Sequence, residues 1–171
     1  FLLLALLGAS ATTQAQITYG GTPFHTQELP EAYALPALNR DALALEDDVT
    51  DRFKEAPWRF GVEHDVAWSC DQDGAWTLEQ GHKVWRLVLD APGATCMSVR
   101  FSEYDIPKGG QLFLYDAHGG DVLGALDHRN EKPWGGLATG VVLTEKLVVE
   151  YRQPLHIESM PSLSIDQVVQ G

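Results

Sequence analysis

Serine, histidine and aspartate side chains occur throughout this sequence, and together they could support nucleophilic hydrolysis. That chemistry needs a serine hydroxyl that a histidine deprotonates, and an aspartate that orients the histidine. No serine lies within Gly-Asp-Ser-Gly or Gly-x-Ser-x-Gly, and the six histidines are scattered. The serines compared with these patterns are Ser69, Ser98, Ser102, Ser159, Ser162 and Ser164. We therefore predict no catalytic residue within these 171 residues.

Acidic residues beside glycine raise the question of calcium binding. The segment Asp71–Gly74 begins like a calcium-binding loop, but an EF-hand needs a glutamate at the twelfth position, where this chain has His82. The alternative is a hairpin turn in which Gly74 takes a positive φ. Three further acids could line a calcium site at a sheet edge, although their spacing does not demand one: Asp116, Asp121 and Asp127. We favour the turn and predict neither a metal nor another cofactor.

The chain has two cysteines, Cys70 and Cys96. In an exported protein a pair of cysteines usually forms one disulfide. A thiol nucleophile or a metal pair is the alternative, but the separation resembles no zinc spacing. We predict the Cys70–Cys96 disulfide, although Cys96 is out of phase with the apolar residues that follow it.

Aromatic side chains offer one more kind of site, a platform on which sugars stack. Trp68, Trp76 and Trp85 are each in phase with the apolar side of a predicted strand, so we expect them in the core. Trp134 differs because it lies in a glycine-rich turn, which predicts an exposed side chain. Trp134 is therefore the candidate binding aromatic.

The first residues resemble a secretory signal peptide. The apolar run Phe1–Leu7 is followed by the small residues of Gly8–Ala11, and cleavage after Ala15 would leave small residues at both recognition positions. We therefore predict a signal peptide over 1–15, without its initial residues, and a secreted protein. No later apolar segment is long enough to span a membrane.

The net charge of −12 comes from 24 acidic and 12 basic residues. A surface this acidic repels nucleic acid and anionic lipid, so we predict no nucleic-acid partner and, after signal cleavage, no membrane partner. High solubility explains such a charge, and an acidic face that docks a basic partner is the alternative.

Residues 16–57 are acidic and contain several prolines. Apolar residues at steps of three and four predict one short amphipathic helix, with Asn39 or Asp41 as its N-cap. The stripe consists of Leu38, Ala42, Leu45, Val49 and Phe53. We predict an extended leader, this helix and a linker that ends at Pro57 and Trp58.

From Arg59 onward the apolar period changes to two, which is typical of half-buried strands. Phe60, Val62, His64, Val66 and Trp68 share one face of the first strand. Glycine and proline turns separate further strands that contain Trp76 and Leu78, Trp85 to Leu89, Met97 to Phe101, Leu112 and Leu114, Val122 to Leu126, Leu137 to Leu143, Leu147 to Tyr151, and Leu163 to Val169. This regular spacing predicts an all-β domain over 58–171, an antiparallel β-sandwich of the jelly-roll kind.

Nine short motifs occur in a characteristic order: Leu43–Asp47, Pro57–Gly61, Gly74–Trp76, Val84–Leu87, Pro92–Ala94, Ile106–Tyr115, Leu123–Ala125, Val149–Tyr151 and Ile165–Gly171. This order resembles the N-terminal region of secreted bacterial trypsin-like serine endopeptidases of the lysyl-endopeptidase-like group. In such proteins the β-domain follows the signal peptide and precedes the peptidase domain. Gln170 stands where the family often has a histidine. None of the matched positions is catalytic in that family.

The resemblance implies a non-catalytic pro-domain or accessory domain, with the downstream peptidase domain as its partner. Such a domain would assist folding of the peptidase, block its cleft or position it. The alternative function is a carbohydrate- or surface-binding β-sandwich that attaches an exported protein to an extracellular polymer. An exposed aromatic row on a flat sheet would favour the alternative, and a downstream Gly-Asp-Ser-Gly motif would favour the first function.

Overall fold

The computed structural model describes residues 17–25, 28–53 and 59–171. These residues form two β-sheets and one α-helix, so the protein is mostly β, as predicted. The elements are β1 Ala32–Ala34, α1 Arg40–Phe53, β2 Val62–Ser69, β3 Ala75–Glu79, β4 His82–Asp90, β5 Met97–Asp105, β6 Gln111–Asp116, β7 Val122–Leu126, a 3-10 helix His128–Asn130, β8 Leu137–Ala138, β9 Lys146–Pro154 and β10 Ser162–Gln170. The predicted signal peptide, and the predicted linker end at 57–58, lie outside the described residues.

The larger sheet, here the first sheet, has the strand order β1-β4-β9-β6-β7, and β3 also pairs with β4. Every pairing in it is antiparallel except that of β1 with β4. Strand β4 pairs with β9 along its whole length, from His82 opposite Pro154 to Asp90 opposite Lys146. The second sheet has the order β2-β10-β5-β8 and is antiparallel throughout. Its centre is therefore formed by the last strand in the sequence.

Buried residues of both sheets form one hydrophobic core. Because successive side chains of a strand point to opposite faces, each strand contributes alternate residues to it. The first sheet supplies residues such as Trp85, Leu114 and Val149, and the second sheet supplies Phe101 and Ile165. Trp85 is fully buried, whereas Trp68 and Trp76 pack against the core while partly exposed. The predicted core placement of these tryptophans is confirmed.

The first sheet is buried on its other side as well. Val88, Phe113, Tyr115, Ala125 and Val148 form a second apolar cluster there. Leu29 and Ala32 of the leader pack against it. This arrangement explains why all residues of β4 from Val84 to Leu89 are buried, although alternation predicts only every second one. We call this side of the sheet the leader-covered face.

The helix α1 is present where the apolar spacing predicts it. Asn39 acts as the N-cap, since its side-chain oxygen accepts the backbone N–H of Ala42 at 3.1 Å. The predicted apolar stripe does not pack on the sheets, however, because Leu45 is 69% exposed and Val49 is 52% exposed. Polar contacts orient the helix instead, with Arg59 paired to both Glu46 and Asp47. In the described part of the chain, no helix is long and apolar enough to cross a membrane.

Two ends of strands differ from the predicted pattern. The alternating pattern predicts that Phe60 lies on the core face of the first strand. In the structure β2 begins at Val62, and Phe60 is 66% exposed. The strand predicted from Leu137 to Leu143 is reduced to the two residues of β8. Beyond β8 only one isolated bridge, between Val142 and Met97, continues the pairing. Alternation identified both regions but not the residues where pairing begins and ends.

Candidate functional site

The serines and histidines of the described residues have hydrogen bonds that do not build a catalytic relay. The Ser102 hydroxyl donates to the carbonyl of Ser164, and the Ser164 hydroxyl bonds to Glu103. His64 pairs with the side chain of Gln170, and His82 faces the carbonyl of Gln80. These pairs bring no serine together with a histidine and an aspartate.

The acidic residues considered for calcium are occupied by protein donors. Asp73 accepts the backbone N–H of Ser69, and Gly74 takes a φ of 72°, as the predicted turn requires. Asp116 accepts the hydroxyl of Thr144, and Asp121 accepts the backbone N–H of Leu143. Asp127 is paired with Arg129 at 2.6 Å. Among residues 17–25, 28–53 and 59–171, no three His, Cys, Asp or Glu side chains are grouped to hold a metal ion.

The predicted disulfide between Cys70 and Cys96 is wrong, because both cysteines are free. Strands β2 and β5 both run antiparallel to β10, so they run parallel to each other. Cys70 follows the end of β2 and Cys96 precedes the start of β5, which places them at opposite ends of the sheet.

Contacts with β10 confirm this separation. The N–H of Cys70 bonds to the carbonyl of Leu163, whereas the N–H of Cys96 faces the carbonyl of Gly171. The stretch of β10 between these two partners spans about 25 Å, whereas a disulfide requires Cα atoms within about 7 Å. Burial raises the pKa of the Cys70 thiol, which makes it a poor nucleophile.

Trp134 lies in the turn between the 3-10 helix and β8, and it is 76% exposed. The turn is closed by a hydrogen bond from the N–H of Gly135 to the carbonyl of Lys132. The exposure predicted for Trp134 is therefore present, and its role in binding stays a prediction. The strand that follows this turn, β8, adds no aromatic residue to it, since β8 consists of Leu137 and Ala138.

A groove of about 320 Å³ lies between α1 and the start of β2. Apolar side chains such as Leu43 and Phe60 line it, and Gly171 lies in it at the end of β10. The adjoining surface of α1 carries Asp41, Glu46, Asp47 and Asp48. The groove thus combines apolar contact area with the charged side chains of Arg40, Asp47 and Arg59, and we call it the helix groove.

The leader-covered face contains a group of buried charges that sequence reasoning did not identify. Glu150 is fully buried, and its Oε2 accepts hydrogen bonds from Arg86 Nε at 2.9 Å and from the hydroxyl of Tyr115 at 3.0 Å. Arg86 is 2% exposed and also forms two hydrogen bonds with Glu79. The charge of the guanidinium is therefore balanced by two carboxylates.

These contacts change the ionisation of the groups involved. The hydrogen bonds from Arg86 hold the pKa of Glu79 below its usual value. Burial alone would lower the pKa of Arg86, but its two ion pairs raise it. Burial and the charge of Glu150 raise the pKa of Tyr115. Arg86 therefore stays charged and Tyr115 stays neutral across the physiological pH range.

Leader residues 17–25 cross this face and complete the cluster. The backbone N–H of Phe24 donates to Glu150 Oε1 at 2.8 Å. The Arg152 guanidinium lies over the ring of Phe24 at 4.3 Å and over the ring of Phe113 at 4.8 Å. Gln111 accepts hydrogen bonds from the same guanidinium and fixes its orientation.

One signal in the sequence could have indicated this site, namely a charged residue within each of two apolar stretches. Arg86 and Glu150 interrupt otherwise apolar strands at positions directly opposite each other in the β4–β9 pairing. Their opposite charges inside strands that are buried on both faces indicate a paired, desolvated site. Locating their partners in the leader needs the three-dimensional path of the chain.

No protein-family model matches this chain, and no solved structure matches it. The resemblance to secreted endopeptidases therefore rests on the sequence motifs alone.

Proposed function

We propose that this chain is the non-catalytic N-terminal pro-domain or accessory domain of a secreted serine endopeptidase, and that its two sheets form an antiparallel β-sandwich of the jelly-roll kind. The ordered motifs from Leu43 to Gly171 support the proposal. The single core shared by two mostly antiparallel sheets supports the domain type that the resemblance implies. Proteolysis would be carried out by the downstream peptidase domain, outside the cell.

The surroundings of Gly171 are the observation that carries this proposal. A peptidase domain joined after Gly171 would leave the β-domain at the helix groove, next to the acidic and apolar surface of α1. Covalent linkage would hold the two domains at high effective concentration, so even a weak contact would be populated. Leu45 and Val49, which are exposed on α1 outside the groove lining, offer apolar contact, and the excess of acids over arginines on α1 would complement a basic cleft. The domain would thereby assist peptidase folding or cover the peptidase cleft.

The gene provides the first test. The codons that follow Gly171 should encode a trypsin-like domain with a Gly-Asp-Ser-Gly motif. An uninterrupted reading frame that encodes no peptidase domain would contradict the proposal directly.

A variant in the full-length parent tests the docking surface. Replacing Leu45 and Val49 with serine should preserve the fold, because both side chains are largely exposed. We expect the yield of active peptidase, or its inhibition before processing, to fall several-fold. Leu78→Ser is the matched control, because Leu78 is equally exposed but lies on β3. Equal effects of the two substitutions would show that α1 is not the docking surface.

Trp134 favours a second function, attachment to an extracellular carbohydrate polymer. An exposed indole is a common surface for stacking against a sugar ring. Trp134→Ala should abolish retention of the protein on insoluble polysaccharide, while Leu143→Ala, which removes another exposed apolar side chain, should leave retention unchanged. Retention that does not depend on Trp134, or no retention at all, would exclude this site.

A further inference from the structure

We propose that the leader-covered face is a peptide-binding groove, which the chain's own residues 17–25 occupy here and which binds the same segment of a second copy when its own is displaced. The bound segment is Ile-Thr-Tyr-Gly-Gly-Thr-Pro-Phe-His, which contains no lysine, arginine or acidic residue. The ligand class is therefore an extended, nearly uncharged peptide with two aromatic side chains five residues apart.

The groove holds the backbone of the segment at three places. At the edge strand β7, the N–H of Tyr19 donates to the carbonyl of Ala125 at 2.8 Å, and the N–H of Ala125 donates to the carbonyl of Gly20 at 3.3 Å. Asn130 Nδ2 donates to the carbonyl of Ile17 at 2.9 Å. Further along, the N–H of Phe24 reaches Glu150. Pairing at a sheet edge is one of the common ways in which proteins bind extended peptides.

Two arginines recognise the aromatic side chains. The Arg129 guanidinium lies 3.3 Å from the centre of the Tyr19 ring, and Arg152 lies over Phe24. Asp127 orients Arg129 through paired hydrogen bonds. Each arginine is thus held in place by residues outside the leader, so the recognition sites are already formed before a peptide binds. Their spacing fixes the register of the peptide.

The polar end of the groove is built in the same way. Arg86 and Tyr115 bind one oxygen of the Glu150 carboxylate, which leaves the other oxygen directed at the peptide N–H. A fully buried carboxylate that lost this donor would be left with an unsatisfied oxygen. The groove is therefore more stable with a peptide bound than without one. When its own segment is displaced, it would bind the nearest segment of matching sequence. The identical segment of a second copy makes the same contacts at little cost, as in domain swapping.

Binding of a synthetic peptide to the full chain tests this proposal. The double variant Tyr19→Ala/Phe24→Ala weakens the internal segment and opens the groove. A fluorescent peptide with the sequence of residues 17–25 should bind this variant about tenfold more tightly than it binds the unaltered chain, as measured by fluorescence anisotropy. A peptide in which both aromatic residues are alanine should lose about the same factor.

Two further variants separate the groove from the rest of the surface. Arg152→Met, added to the opened chain, should abolish peptide binding. Arg100→Met should not, because Arg100 lies on β5 of the second sheet, where it pairs with Asp166. If the double variant does not give the circular dichroism spectrum of the parent, Phe24→Ala alone replaces it under the same criteria. A folded opened chain that fails to bind the peptide, or that binds the alanine peptide or an unrelated aromatic peptide equally well, would overturn the proposal.

Discussion

Replacing Glu150 with alanine should destabilise the protein more than almost any other single polar substitution. Glu150 is fully buried and accepts hydrogen bonds from Arg86, Tyr115 and Phe24. Each hydrogen bond to a charged group contributes about 1.5–3 kcal/mol, but the three are not additive. Removal of one partner of a buried ion pair costs about 3–5 kcal/mol. Because Glu79 still balances part of the charge of Arg86, we expect a loss of about 3–4 kcal/mol in the free energy of unfolding.

Urea unfolding followed by tryptophan fluorescence measures this loss, and the slope of the transition shows whether the unfolded state has also changed. Glu63→Ala is the matched control, because Glu63 is exposed on β2 and its side chain accepts a solvent-exposed hydrogen bond from Gln167 rather than one from a buried ion-pair partner. The control should change the free energy of unfolding by at most about 0.5 kcal/mol. The double variant Arg86→Met/Glu150→Leu should be less destabilised than Glu150→Ala, since it leaves no buried arginine. A Glu150→Ala protein within about 1 kcal/mol of the parent would refute the reasoning.

Three further predictions concern the turn before β6, the stability of the protein at acidic pH, and the thiols of the two cysteines. Gly110→Val should destabilise the protein by about 1–3 kcal/mol in the same urea assay, because a Cβ atom at Gly110 would lie 2.4 Å from the hydroxyl oxygen of the buried Tyr151. The stabilising contribution of Glu79 should be fully present above about pH 4.5 and lost as the pH falls through its lowered folded-state pKa, so the free-energy difference between the parent and Glu79→Gln should shrink on acidification. Cys70 should react with a thiol reagent only after unfolding, and both cysteines should titrate as free thiols in the unfolded, unreduced protein.

Each of these predictions has its own control and contrary outcome. Lys108→Ala changes an exposed neighbour in the same turn and should leave the free energy of unfolding almost unchanged. A similar loss of this free energy in both variants would mean that crowding at Gly110 is not the cause. A free-energy difference for Glu79→Gln that stays constant from pH 7 to pH 3 would contradict the ion pair with Arg86. Absence of thiols in the unfolded, unreduced protein would contradict the separation of the two cysteines.

Local pattern predicted most of the β-structure. The alternation of Trp85, Leu87 and Leu89 identified both β4 and its core face, because side chains in a strand alternate regardless of the partner strand. The turn before β6 was also predicted, and Gly109 supplies its positive φ of 98°. Ends of strands were less predictable. Leu78 continues the apolar period of β3 but is 74% exposed.

The candidate sites depended on topology, which local pattern does not contain. The two cysteines look like a pair in the sequence, but the parallel direction of β2 and β5 separates them. The apolar spacing of residues 38–53 predicted the helix α1. The ion pair of Arg59 with Glu46, however, holds the helix so that Leu45 faces solvent. The ion pair of Arg86 with Glu150 follows from the β4–β9 pairing, but its contact with the backbone of Phe24 depends on the path of a leader that no periodic pattern describes.

The position of β10 has a consequence for how the protein is made. Its nine residues, Ser162–Gln170, follow all the other described strands in the sequence, yet they lie between β2 and β5. A ribosome releases a chain from its N-terminus, so β2 and β5 lack the strand that joins them until β10 has been synthesised. During that interval each strand exposes unpaired backbone groups on which other chains can aggregate. The second sheet therefore becomes complete only after β10 has been synthesised, and a stalled or clipped product that lacks these residues would be a substrate for chaperones and proteases.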